Sequence, residues 1–139
     1  MPPKTASART AHWLWPLLLL LGCVTAVIAW LLVAMTRGDQ AGWMALLCAA
    51  EVAWMLRLGN LQGGRLRVLV AVVATALVVV AANWAIAAAH IGVAMGLDPW
   101  TSSLKLGAGL AWTLLSLANS TWDWLCYVLA LGLAAWISR

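Results

Sequence analysis

Residues 68–95 read VLVAVVATALVVVAANWAIAAAHIGVAM, 28 positions without one Asp, Glu, Lys or Arg. About 20 apolar residues carry a helix across a bilayer, so this stretch is a spanning helix with length to spare. Its second half is patterned. Ala81, Ala85, Ala88, Gly92 and Gly96 make a ridge of small residues. Asn83, Ala87 and His90 lie roughly opposite. Small residues let helix backbones approach closely, and amides bond across helices. The pattern predicts protein on both sides, a central place in a bundle, and hydrogen bonds from Asn83 and His90 to the second or fourth helix.

On the N-terminal side, RLGNLQGGRLR at 57–67 is a loop with three arginines, Arg57, Arg65 and Arg67. Before it, 41–56 is a shorter apolar helix containing Glu51, and Thr36 to Gln40 is a turn. The run 13–35 is a full span with Pro16 in its first turn, where the missing N–H does little harm. A basic start and a leucine run could mark a signal peptide. The run continues past Cys23 for a full spanning length, so an uncleaved helix is expected. Residues 1–12 form a polar tail.

On the C-terminal side, Asp98-Pro99 offers an N-cap with proline at the first helical position. One short interfacial or re-entrant helix over 99–117 is expected, because its apolar run is only 13 residues long, 106–118. Asn119-Ser-Thr ends it, and Ser120-Thr-Trp-Asp123 is a capping-box start for a last helix over 122–138. The alternative joins these two into one bent span with Asp123 inside.

The whole chain agrees with its parts. It has 139 residues, 65% hydrophobic and 9% charged, with a mean hydropathy of +0.98. Soluble domains carry about 25% charged residues, so the polar side chains here cannot cover a water-facing surface. The fold expected is an all-α integral membrane protein: a single domain over 13–139, four transmembrane helices, and the short helix between the third and fourth. The formal charge of +4 does not indicate nucleic acid, since the basic residues form no face with interleaved aromatics. They read as topology. With residues 1–12 in the cytoplasm, Lys4, Arg9, Arg57, Arg65, Arg67 and Arg139 lie inside, and Arg37 and Lys105 outside. Both termini are then cytoplasmic, in what reads as a bacterial inner membrane. Trp13, Trp15, Trp43, Trp100, Trp122, Trp124 and Trp136 fall near span ends, as in an interfacial belt.

Chemistry has few places to reside. Glu51 stands out, because an ionisable group inside a span is costly and usually faces protein or water. At about 100° per residue, Met44, Cys48, Glu51 and Met55 share one helical face. Gly42, Ala45, Ala49 and Ala53 share the opposite one. Two thioethers and a thiol could form a Cu(I) path. The plainer expectation is adaptable packing around a carboxyl that is uncharged or paired with an arginine. Asn119, Asp123 and Tyr127 recur every four residues and, with Asp98 and His90, could form a polar vestibule on the outer side. His12 is a poor second axial ligand for a haem on His90, and no cofactor is expected. Cys23, Cys48 and Cys126 form no CxxC pair and read as packing residues. No P-loop, nucleophile elbow, HExxH or dinucleotide fingerprint occurs, so no enzyme is expected. The function expected is that of an accessory or scaffolding subunit, packed in the bilayer against a larger membrane protein or its own copies. The alternative is a small oligomeric transporter or channel using Glu51.

Overall fold

The computed structural model describes residues 14–139, so the polar tail, His12 and Trp13 lie outside the described residues. Six helices follow in order: α1 (Leu14–Arg37), α2 (Met44–Leu58), α3 (Arg65–Met95), α4 (Pro99–Lys105), α5 (Ala108–Ala118) and α6 (Thr121–Ile137). No strand occurs among the described residues.

At about 1.5 Å per residue, α1 is about 36 Å long and α3 about 46 Å. These two are long and apolar enough to cross a membrane. A third crossing is added if α5 and α6, bent by 104° at a short break, count as one. The helices α2 and α6, about 22 and 26 Å by the same rise, fall short of the ordinary span alone.

The core is a four-helix bundle of α1, α2, α3 and α6. Helix α2 packs on α1, α3 and α6, and α3 packs on every other helix. The central place expected for residues 68–95 is what the structure shows. The helix ends fix the directions. Gly42, before α2, binds Asp123 in the first turn of α6, and Arg57 near the end of α2 reaches Ile137 at the end of α6. The helices α2 and α6 therefore run parallel to each other, and α1 and α3 run the other way. One bundle end holds the α1–α2 turn, α4 and the start of α6. The other holds the arginine loop.

Small side chains set the close approaches. Ala45, Ala49 and Ala53 on α2 are fully buried, with Val52 and Leu56 filling the space between helices. A Cβ on Gly42 would stand 2.8 Å from Cα and Cβ of Asp123, so only glycine permits this meeting of α2 and α6. Gly59 lies as tightly against Trp15. Trp30 is the largest fully buried side chain, and its indole N–H donates to the Gln40 carbonyl at 2.9 Å, closing the α1–α2 turn.

The segment after α3 differs from the single helix expected over 99–117. Gly96 ends α3 in the left-handed conformation, with φ +65°. Asp98 caps α4 with Pro99 in the first turn, as its sequence implies. The helix then breaks at Leu106, which turns extended and buries its side chain with Ala87, Ala88 and Ala111. A continuous helix would have pointed Leu106 elsewhere. Gly107 starts α5. Gly92 leaves room for the return, since its missing Cβ would stand 2.9 Å from Ser102 Oγ. The capping box at Ser120 and Asp123 forms as expected.

Candidate functional site

Two polar constellations join helices of the bundle, one buried and one on its outer seam, and a cleft opens at the turn end. The first constellation joins α3, the α5–α6 break and α6. Tyr127 Oη stands 2.6 Å from Asn119 Oδ1 and 3.2 Å from Asn83 Oδ1. The Asn119 amide donates to Asn83 Oδ1 at 3.2 Å and to the Leu115 carbonyl at 2.9 Å. The Asn83 amide donates to the Val79 carbonyl at 2.9 Å. All three residues are buried. The Tyr127 ring is flanked by Trp30 and Trp124, with centroids 6.0 and 5.8 Å away. Buried polar groups cost free energy unless partnered. Here they partner one another, which ties the bent α5–α6 segment to α3.

This arrangement regroups the expected outer polar cluster. Asn119 is not on the last helix but at the C-cap of α5. It meets Tyr127 across the break, and Asn83 joins them. Asp123 is used otherwise: Oδ1 accepts from the Gly42 amide at 3.0 Å, and Oδ2 from the Ser120 amide and hydroxyl, each at 2.8 Å. Asp98 is exposed, spent on Thr101 through bonds of 2.9 and 2.7 Å. Those bonds, the hydroxyl's first, hold its carboxyl below the usual value of 3.8. His90 is exposed and bonds its own helix at the Ile86 carbonyl, 2.9 Å away, rather than a neighbouring helix.

Of the five residues expected to share a vestibule, only His90 and Asp123 line the cleft at the turn end. The cleft is about 610 Å³ and is lined by Asp39, Gln40, Trp43, His90, Trp122 and Asp123 among others, and Asp98 takes no part in it. Its acids are already engaged: Asp39 binds the Ala41 amide at 3.0 Å and stands 4.0 Å from Arg37.

The second constellation centres on Glu51, at half-height of α2. Its face looks at α1, in register: Met55 fills the notch at Gly22, Glu51 meets Thr25, and the Cys48 thiol points at the Ala26 carbonyl, 4.0 Å away. The Thr25 hydroxyl lies 2.7 Å from Glu51 Oε1, and 3.0 Å from each of the Leu21 and Gly22 carbonyls. Its one proton serves three acceptors. Of the two states expected for Glu51, uncharged or paired with an arginine, the pairing is not found among the described residues, where the one ion pair is Arg37–Asp39.

Glu51 is only partly buried and Thr25 is exposed, so the pair sits on an outer seam of the bundle rather than in its interior. Around it stand the exposed Leu21, Ile28, Leu47 and Trp54. Thr25 was missed in the sequence. Its signal was present, as the one hydroxyl in the middle of a run of leucine, valine and alanine. Of the sulfur stripe, Met44 and Cys48 are buried and Met55 is half-buried.

The loop arginines divide. Arg57 donates to the Ile137 carbonyl at 2.6 Å. Arg67 donates to the Ser138 and Arg139 carbonyls at 2.8 and 2.7 Å. These are carbonyls at the end of α6, which otherwise lack intrahelical donors. Arg65 is exposed.

No family model matches the chain, and no curated protein or solved structure shows significant similarity to it.

Proposed function

We propose that the chain is a non-enzymatic integral membrane protein serving as an accessory subunit. In this reading it docks sideways on a larger membrane protein through the face that carries Glu51 and Thr25. All four bundle helices cross the bilayer, α2 and α6 as short spans, with α4 and α5 at the outer surface. The arginine end and both termini lie in the cytoplasm, by the excess of basic residues there, and the setting is a bacterial inner membrane.

One observation carries the proposal: a carboxyl at half-height of the bundle, partly exposed on its outer seam, with a single shared hydroxyl for company. At that depth a carboxylic side chain facing lipid costs a few kcal/mol. A partner that presents a hydrogen-bond donor at the same depth offsets this. The interior speaks for assembly as well, since Ala45, Ala49, Val52 and Ala53 fill the space behind Glu51.

The second reading is an oligomeric transporter or channel in which Glu51 binds a proton or cation. The seam position favours it over a path through one copy, because a second copy would complete the path. Extraction of the tagged chain in mild detergent separates the two. The subunit reading expects a larger membrane protein at fixed stoichiometry, kept by Glu51→Gln and lost with Glu51→Leu. A homo-oligomer without partner, whose flux is abolished by Glu51→Gln while it still assembles, supports the transporter instead.

A further inference from the structure

The arginine end carries positive charge that no acidic side chain neutralises, beside an apolar groove, and we propose that this groove binds one anionic phospholipid. The groove is about 570 Å³ and is lined by Gly64, Arg65, Val68, Leu69, Val72 and Arg139. Its wall is almost wholly apolar, which the methylene stems of the two arginines can supply while their guanidinium heads stay in solvent. Arg57 and Arg67 are spent on the carbonyls that end α6. Arg65 and Arg139 have no side-chain hydrogen bond among the described residues and are exposed.

No acidic side chain balances them. The chain has four acids: Asp39, Asp98 and Asp123 stand at the turn end, and Glu51 at half-height. The first turn of α3 adds to the positive end, since Gly64 supplies no side-chain cap. A ligand that fits both parts has an anionic head for the two guanidiniums and an acyl chain for Val68, Leu69 and Val72. Guanidinium recognises phosphate through paired N–H donors. A phosphodiester headgroup on an acyl chain, as in phosphatidylglycerol, meets these terms. The proposal rests on the chain spanning a membrane, not on the partner at Glu51.

The test is native mass spectrometry of the full chain in mild detergent with equimolar phosphatidylglycerol and phosphatidylcholine. The wild type is expected to retain phosphatidylglycerol in preference. An interfacial arginine is worth about a factor of five for an anionic lipid, so R65Q/R139Q should lose about thirtyfold of that preference. R65K/R139K, which keeps the charge, should retain most of it and shows that the double change is not simply misfolding. Equal retention of the two lipids, an unchanged preference in R65Q/R139Q, or displacement of the lipid by an equal concentration of inorganic phosphate would overturn the proposal.

Discussion

Replacing Tyr127 by Phe removes one oxygen and leaves the ring between Trp30 and Trp124 in place. The consequence follows from the bonds that oxygen makes. The single phenolic proton serves Asn119 Oδ1 at 2.6 Å more closely than Asn83 Oδ1 at 3.2 Å. Without it, Asn83 Oδ1 keeps the Asn119 amide as donor, whereas Asn119 Oδ1 has no other donor among the described residues. One buried acceptor is orphaned. In a soluble core this costs about 1–3 kcal/mol. Hydrogen bonds between membrane helices average about 0.6 kcal/mol and reach about 1.7, because the unfolded chain in lipid also finds partners. We therefore expect Tyr127→Phe to destabilise by about 1 kcal/mol, within the range those two limits set. Asn119→Ala should cost less in the Phe background than in the wild type, by a coupling of at least about 0.5 kcal/mol. Unfolding in mixed micelles, followed by tryptophan fluorescence, reads both, since Trp30 and Trp124 flank the ring. Wild-type stability in Tyr127→Phe, or strict additivity of the two changes, would refute the network as a structural tie.

Two further outcomes follow from local geometry. Gly42→Ala places a methyl against the Asp123 backbone and should destabilise by about 1–3 kcal/mol, the cost of overpacking. Gly132→Ala, with open space around it, should be neutral or stabilising by up to about 1 kcal/mol, and equal effects in the same unfolding assay would contradict the packing of α2 on α6. The carboxyl of Asp98 is held below its usual value by Thr101, so its cap on α4 is in full force above the ordinary carboxylate range and fades as pH falls through the lowered value. The Thr101 amide resonance should hold steady from neutral pH to about 5 and move only in more acid solution, and movement near neutrality would contradict the cap.

What could be read from the sequence was whatever depends on neighbours along the chain. The apolar run at 68–95 and the caps at Asp98 and Ser120 are local signals, and the helices formed there. The loop expected over 57–67 is shorter, 59–64, with Arg57 at the end of α2 and Arg65 and Arg67 in the first turn of α3. What could not be read depends on how helices rotate against each other. A helical wheel places Met44, Cys48, Glu51 and Met55 on one face, but not which helix that face meets. It meets α1, and the partner of Glu51 is a hydroxyl rather than an arginine. The four-residue spacing of Asn119, Asp123 and Tyr127 suggested one ridge. The 104° bend before Thr121 destroys that ridge and makes a different union, with Asn83. The break at Leu106 was hidden because its cause is tertiary: burial against Ala87 and Ala88 outweighs continuing the helix.

The seam at Glu51 is tested most directly by photo-cross-linking in native membranes. A photoreactive residue at Leu47, exposed one turn from Glu51 on α2, is compared with one at Val128, exposed on α6. The account predicts a discrete protein adduct from Leu47, absent from Val128 and lost when Glu51→Leu is added. Lipid adducts alone at Leu47, or the same protein adduct from both positions, would contradict it.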